Sequence, residues 1–306
     1  MLSVKAFPDF RSAAAAVLDY LHRRLGFDLW MVTRVEGQEW IILQVEDHGY
    51  GIKSGMALKW ADSFCIRMIE GQGPCVSPRV LDVPAYAAAP VGQVVKVGAY
   101  IGIPIMKEDG SLFGTLCAIH PSSQPDMIVM EQPMIELFTR LLGTILAEEL
   151  KTLEGARRDE RTSAGAHRDP QTGLFGREAW ETLVRAEERR CVDYGNPAAV
   201  AVVTLRASDR QLHEGLLERA AGALTQATRE QDVLARVGDH QFAVLAVECD
   251  RAGMKALVGR LTDALAEVRI DASISVSHRC PPRTLWHSWR EAEGEAEGNS
   301  RDHSHG

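Results

Sequence analysis

The sequence predicts an α/β (α+β) protein of two domains joined by a helix, and three observations carry that prediction. A chain of 306 residues has room for two domains, at roughly 100–200 residues each. The stretch GAYIGIPIMKEDGSLFGTLCAI at 98–119 sets two apolar runs on either side of Asp109-Gly110. Beyond Asp169, helical and strand-like patterns alternate as in one sheet packed by helices.

In chain order, Arg11–Leu25 (RSAAAAVLDYLHRRL) reads as an opening helix, which alanine and leucine favour and Gly26 stops. Asp28–Val35 and Glu39–Val45 are rich in β-branched and aromatic residues and read as strands, with Glu36-Gly37 between them. An Asp-Gly pair tolerates positive φ at both central turn positions, so 98–119 is a β-hairpin. Its strands are apolar on nearly every residue, so both faces of the sheet should be covered. From Met127 to Glu154 the period changes. Met134, Leu137, Leu141, Leu142, Ile145, Leu146, Leu150 and Leu153 recur three and four residues apart, the mark of an amphipathic helix. Its apolar seam is open to two readings, packing on its own domain or pairing with a second chain, and both can hold for different turns. Residues 155–168 (GARRDERTSAGAHR) are a linker or helix end. There follow helix 176–191, strand 198–205, helix 212–229, strands 233–237 and 241–247, helix 251–267 and strand 269–277. The Glu-, Gly- and Ser-rich end, 291–306, is expected to be disordered, and His303 and His305 within it are too few for a metal site. The expected divisions are a first domain at 1–126, a linker helix at 127–163, a second domain at 164–287 and a disordered acidic tail at 288–306.

Composition narrows the function. With 34 basic and 42 acidic residues the net charge is −8. That argues against a non-specific nucleic-acid binder and against docking on anionic membranes. Residues 151–287 hold 20 basic and 20 acidic groups, a neutral stretch that would not repel an acidic ligand. Six cysteines without a CxxC pair make no disulfide framework and suggest a reducing cytoplasm. Asp9 and Asp19 fall where a signal peptide would need an uncharged apolar region, and no run of 18 apolar residues is present.

Trp60–Pro74 (WADSFCIRMIEGQGP) and the pattern Y-I-G-I-P-I…D-G-S-L-F-G-T-L-C within 98–121 resemble a GAF domain, over about residues 10–150. The resemblance implies a small-ligand sensor and dimer module, built on an antiparallel sheet of six or so strands with helices on its faces. Its pocket would lie between the sheet and residues around 55–95, with Trp60, Cys65, Tyr86 and Tyr100 as candidate lining residues. Cys65, Cys75 and Cys117 invite a redox or chromophore role. Bilin-binding relatives, however, attach pigment to a Cys followed by His, and here Ile66 follows Cys65 and Ala118 follows Cys117. The reading taken is of buried cysteines acting as small hydrophobes.

Asp169-Pro-Gln-Thr-Gly-Leu174, the following Arg177 and REQDVLARVGDHQFAVL at 229–245 resemble a GGDEF domain, the diguanylate cyclase fold, over about residues 164–287. Such an enzyme joins two GTP molecules and needs metal ions to clamp their phosphates. The family supplies carboxylates from its signature turn and from an Asp ending the first strand. Here the turn reads Gly238-Asp239-His240-Gln241-Phe242, with Asp239 in place of a second Gly, His240 in place of Asp and Gln241 in place of Glu. The strand-end Asp would fall near Thr204 or Arg206, and neither is a carboxylate. The guanine-recognising loop at 206–217 is shortened by roughly two helical turns. Ser275 replaces a Gly, and Trp286–Glu297 is a poor match for the family's final helix. Arg229-Glu230-Gln231-Asp232 keeps the family's R-x-x-D motif, which implies binding of cyclic di-GMP outside the active site. Arginine can fork two hydrogen bonds to a phosphate or a guanine edge, and aspartate can accept from guanine N–H groups. Equally, Arg229 can complement a helix dipole and Asp232 can cap a turn.

Three functions follow. The first is a cytoplasmic signalling protein with a GAF sensor for an unknown small molecule and an inactive GGDEF domain, receiving cyclic di-GMP through Arg229 and Asp232. The second is an active diguanylate cyclase, the one case that would call for Mg as a cofactor. The third is a homodimeric scaffold pairing through 127–154, with no nucleotide.

Overall fold

The computed structural model describes residues 5–206, 215–279 and 283–301. The chain divides into two compact units, Met1–Gly155 with Asp193–Gly195 and Ala156–Val192 with Asn196–Gly306.

In the first unit, α1 (Phe10–Leu25) begins at Asp9, whose carboxylate accepts the Ser12 N–H at 2.7 Å. It stops at Gly26, which takes the left-handed conformation at φ +69. Strands β1 (Leu29–Glu36), β2 (Glu39–Asp47), β3 (Ala57–Lys59), β4 (Val76–Ser77), β5 (Ala99–Met106) and β6 (Leu112–His120) form one antiparallel sheet in the order β3-β2-β1-β6-β5-β4. The short helices α2 (Phe64–Ile69), α3 (Pro84–Ala87) and α4 (Val91–Val94) come between β3 and β5 in the chain. Alternate strand residues point to opposite faces, and both faces are apolar. Trp30, Val32, Ile101, Ile103, Leu116 and Ala118 join α1 and the first turns of α5 (Gln132–Ala164) in one core. Leu29, Met31, Tyr100, Cys117 and Ile119 turn the other way, into a core with Phe64, Cys65 and Tyr86.

The β5–β6 turn departs from expectation. Gly110 takes positive φ (+79) but Asp109 does not. The Asp109 carboxylate instead accepts the Ser111 N–H at 2.9 Å and its O–H at 2.6 Å, inside a longer loop closed by Lys107 N–H to Ser111 C=O at 2.8 Å. On α5, Ile135, Leu142 and Leu146 are buried in the first core, as the reading of packing on its own domain expects, whereas Leu137 and Leu141 are 50% and 52% exposed.

The second unit contains α6 (Arg177–Tyr194), β7 (Ala198–Leu205), α7 (Leu217–Ala227), β8 (Val233–Arg236), β9 (Gln241–Val247), α8 (Arg251–Glu267), β10 (Ala272–His278) and α9 (Leu285–Arg301). The sheet order is β10-β7-β9-β8, and every neighbouring pair is antiparallel. The βαβ-like alternation therefore does not place β7 beside β8. Both run antiparallel to β9, which lies between them, giving the β-α-β-β-α-β arrangement. One face packs Val200, Val202, Ala235, Ala243 and Leu245 against α6 and α9. The other packs Ala199, Ala201, Val203, Phe242 and Val244 against α7 and α8.

The expected disordered tail at 288–306 is corrected as far as Arg301, where α9 ends; residues 302–306, with His303 and His305, lie outside the described residues. Leu285, Trp289 and Ala292 recur at helical spacing and are all fully buried. Trp289 meets Trp180 of α6 edge-on, with ring centroids 5.8 Å apart. Trp289→Ala in the full chain should cost about 3–5 kcal/mol in urea unfolding. A loss near zero would restore the disordered reading.

Candidate functional site

The chemistry expected of the second unit converges on the turn between β8 and β9. Gly238 N–H donates to Gln241 C=O at 3.3 Å, and Gln241 N–H to Gly238 C=O at 3.4 Å. Arg236, the last residue of β8, grips this turn. Its Nε donates to Gly238 C=O (3.2 Å), Nη2 to Asp239 C=O (3.1 Å), and Nη1 to Asp169 Oδ2 (3.2 Å) and Gln171 Oε1 (3.0 Å). One guanidinium thus ties the 169–174 segment to the signature turn, and Arg177 adds a bond from Nη1 to Val237 C=O at 3.0 Å. Burial alone would raise the Asp169 carboxyl. The N–H and O–H of Thr172, together with Arg236, hold it below its ordinary value of 3.8. Asp239 is exposed and His240 half-buried, while Phe242 is fully buried.

Beside the turn lies the end of β7. Thr204 is paired with Gln241 across the β7–β9 ladder, and the Gln241 amide donates to the Thr204 hydroxyl at 3.5 Å. Arg206 donates its N–H to Asp271 C=O at 2.9 Å, and its guanidinium lies 3.7 Å from Asp271 Oδ1. A hydroxyl, an amide and a guanidinium thus stand where a hard divalent cation would want carboxylate oxygens. Asp169 is already engaged by Thr172 and Arg236. These residues do not fit a magnesium ion. Among the described residues no group of three or more His, Cys, Asp or Glu is placed to hold a metal. Ser275 is buried on β10 opposite Val202. The loop expected to read guanine, 206–217, lies outside the described residues from 207 to 214.

Arg229 and Asp232 close a tight turn on each other. Asp232 N–H donates to Arg229 C=O at 3.1 Å, and Arg229 N–H to Asp232 Oδ2 at 3.0 Å. The Arg229 side chain is exposed and makes no hydrogen bond among the described residues. Burial pushes the Asp232 carboxyl above its usual range, against the Arg229 N–H and charge, which favour ionisation. The residues between them are held from α5: the Arg161 guanidinium donates to Glu230 C=O at 2.6 Å and to Gln231 C=O. One turn earlier, Arg157 pairs with Glu187 at 2.8 Å and Glu248 at 2.9 Å. Arg161 escapes a sequence reading, because a guanidinium that binds distant carbonyls leaves no local pattern; Arg236 lies within the matched stretch 229–245, but its tie to Asp169 and Gln171 is not visible there.

In the first unit a cavity of about 260 Å³ opens between the sheet and the segment before β5. Of the four candidates, Cys65 and Tyr100 line it. Trp60 and Tyr86 do not. Trp60 packs against Trp40 with ring centroids 6.2 Å apart, and Tyr86 packs on Phe64 and Tyr100 and donates to Pro74 C=O at 2.6 Å. Cys117 also lines the cavity, and Cys75 is half-buried elsewhere.

The family model for the GAF domain matches residues 9–148, and that for the diguanylate cyclase GGDEF domain matches residues 166–280. The chain carries a GAF domain followed by a GGDEF domain. It is thereby a signalling protein related to diguanylate cyclases. Among solved structures, the FimX GGDEF domain from Pseudomonas aeruginosa is 24% identical over 44% of this chain and 94% of that one, with a TM-score of 0.40. The coiled coil and GGDEF domain of DgcB from Caulobacter crescentus, in complex with c-di-GMP, is 17% identical over 53% and 95%, with a TM-score of 0.41. Diguanylate cyclase SiaD from Pseudomonas aeruginosa, in complex with its activator SiaC, is 19% identical over 57% and 74%, with a TM-score of 0.43. No curated protein matches. Among the described residues, no helix is long and apolar enough to cross a membrane.

The Asp169 contacts make a pH prediction for the GGDEF domain. A carboxyl whose folded pKa is depressed stabilises the fold fully above its unfolded value of 3.8, and that contribution is lost as pH falls through the lower folded value. Asp169→Asn should cost about 1–2 kcal/mol at neutral pH, and the deficit should shrink below pH 3.8. A deficit that stays constant from pH 7 to pH 3, followed by urea unfolding, would reject the ionised contact.

Proposed function

We propose that this is a cytoplasmic signalling protein whose GGDEF domain does not turn over GTP and instead receives cyclic di-GMP through Arg229 and Asp232. The observation that carries the first half is the pairing of the Gln241 amide with the Thr204 hydroxyl. In a cyclase those positions would present carboxylates to metal-bound phosphates. A neutral amide neither binds a hard cation well nor accepts a proton as a base.

The second half is supported by the exposed Arg229 side chain beside a carboxylate, on a turn with two carbonyls fixed by Arg161. A guanidinium held at a pre-formed turn loses less freedom on binding a phosphate or guanine edge than one on a mobile loop. Arg161 lies in α5, so ligand at the turn and the state of that helix would bias one another. The GAF cavity would supply the other input, a small molecule.

Titration calorimetry of the full chain with cyclic di-GMP should give micromolar binding, abolished by Arg229→Ala and weakened by Arg161→Ala. GTP with magnesium should yield no cyclic di-GMP. Product formation would restore the cyclase reading, and absence of heat from the wild-type chain would remove the receptor.

A homodimer through α5 is favoured by a separate observation. Leu137 and Leu141, four residues apart on α5, are half exposed. That spacing suits one face of a helix pair. Light scattering should report twice the 33.6 kDa chain mass, and Leu137→Glu combined with Leu141→Glu should return a folded monomer. A monomeric wild-type chain would reject this interface.

A further inference from the structure

Cys65 on α2 and Cys117 on β6 meet at the wall of the GAF cavity, each only 1% exposed. Polar hydrogens converge on Cys65. The Tyr100 hydroxyl donates to its sulfur at 3.3 Å. The Thr115 hydroxyl lies 3.5 Å from the Cys65 sulfur and 3.7 Å from the Cys117 sulfur. Gly102 makes room for this arrangement, because a Cβ there would collide with the Tyr100 hydroxyl.

The surrounding network directs these hydrogens to sulfur. Thr33 Oγ1 accepts from Trp40 Nε1–H at 2.9 Å and from Thr115 N–H at 3.2 Å, which fills its two lone pairs. The Thr33 hydroxyl donates to Thr115 C=O at 3.1 Å. Although the two threonine hydroxyls are 2.9 Å apart, the Thr115 proton is left for the sulfurs. A neutral thiol is a weak acceptor and a thiolate a strong one, so donors aimed at one buried sulfur favour its thiolate. Burial pushes the Cys65 thiol up, but hydrogen bonds from Cys117, Thr115 and Tyr100 outweigh it and bring its pKa down. Cys117, donor to Cys65 and itself buried, stays well above the ordinary thiol range. The pair is asymmetric: one sulfur poised to attack, the other retaining its proton.

The cavity they face has a different character. Leu29, Met31, Ile52, Val91 and Ile119 line it, with Lys59 and Asp62 also on its wall and Val94, 83% exposed, at its mouth. The walls are mostly apolar, so away from Lys59 and Asp62 a charged ligand would lie unpaired.

We propose that the cavity takes an apolar organic hydroperoxide, which Cys65 and Cys117 reduce while being oxidised to a disulfide. The Cys65 thiolate attacks the terminal peroxide oxygen; an S–O bond forms, the O–O bond breaks, and the alkoxide leaves with the electron pair. The alkoxide takes a proton from solvent at the mouth, replacing the one Cys65 released. Cys117 then attacks the Cys65 sulfur. The S–S bond forms, the S–O bond breaks, and hydroxide departs with the Cys117 proton as water. Two electrons pass from the thiols to the peroxide, yielding one alcohol and one water. The proposal goes beyond the dinucleotide reading and does not depend on it: loss of binding at Arg229 would leave it untouched.

The test treats the reduced full chain with cumene hydroperoxide, then maps its thiols by alkylation and mass spectrometry. The expected result is loss of two hydrogens from the intact mass and a peptide cross-linked through Cys65 and Cys117. In Cys117→Ser a sulfenic acid should persist at Cys65 and be captured by dimedone. Hydrogen peroxide at equal concentration should react at least about tenfold more slowly, the difference expected from burying a few methylenes' worth of apolar surface. Cys65 and Cys117 still alkylated after cumene hydroperoxide would overturn the proposal. Equal rates with the two peroxides would overturn the apolar ligand.

Discussion

The GGDEF domain depends on the burial of β7 on both faces. All eight residues, Ala198–Leu205, are buried. Ala198, Val200 and Val202 belong to one core and Ala199, Ala201, Val203 and Leu205 to the other. A strand enclosed in this way can accept a polar side chain only where a partner is at hand. Thr204, near the end of the strand, is 7% exposed, and its partner arrives from the facing strand as Gln241. Magnitudes separate fold from site. Each fully buried valine of β7 contributes about 1.5–3 kcal/mol, whereas a hydrogen bond contributes about 1 kcal/mol, and less when it is as long as this one. The sheet can therefore persist while the chemistry at its end changes. The Gln241 amide, being neutral, meets the Thr204 hydroxyl without adding a charge at the strand end.

What the sequence makes legible follows from which interactions are local. The α1 boundaries are readable because Gly26 and the alanine-rich run act within one helix, and the β5–β6 hairpin is readable from two apolar runs and a turn pair. The order of the second sheet is not. Helix–strand alternation says that β7 and β8 flank α7, but the insertion of β9 between them is set by pairing over tens of residues. The start of the tail is illegible for a similar reason. Composition from 288 onward is polar, yet Trp289 and Ala292 share a helical face with Leu285, just before the tail, and find Trp180, more than one hundred positions earlier. In the cavity, aromatic identity suggests Trp60, Tyr86 and Tyr100 beside Cys65, but strand register decides. Tyr100 on β5 points to the cavity side, while Tyr86 and Trp60 are spent packing neighbouring rings.

Arginines account for most of what the motifs do not reveal. The R-x-x-D spacing places Arg229 and Asp232 at a turn, yet two of the turn's carbonyls, those of Glu230 and Gln231, are engaged by Arg161, about seventy residues earlier. The signature pentapeptide is visible as letters, yet its conformation is held by Arg236 through the carbonyls of Gly238 and Asp239 and the carboxylate of Asp169. Guanidinium groups suit this work because five fixed donors can satisfy several oxygens at once, and buried carbonyls rarely remain unpaired. The same helix that supplies Arg161 also supplies Ile135, Leu142 and Leu146 to the GAF core. One helix thus contributes to the packing of the GAF domain and to the turn at Arg229–Asp232.

The buried cysteines show why hydrogen-bond accounting is more discriminating than residue type. Read as letters, Cys65 and Cys117 are small hydrophobes, and their burial agrees. Cys75 and Cys191 fit that description, with burial pushing both thiols up. Cys65 departs from it because the Tyr100 hydroxyl and the Thr115 proton have been steered toward its sulfur by an otherwise saturated network through Thr33 and Trp40. If packing were the whole purpose, Phe at 100 and Val at 115 would fill nearly the same volume without burying two hydroxyls against a weak acceptor. Burying a hydroxyl without a good partner costs about 1–3 kcal/mol, so the Tyr100 hydroxyl, whose partner is the Cys65 sulfur, favours the state of that sulfur that accepts more strongly. That state is the thiolate, from which the proposed attack on a peroxide would start.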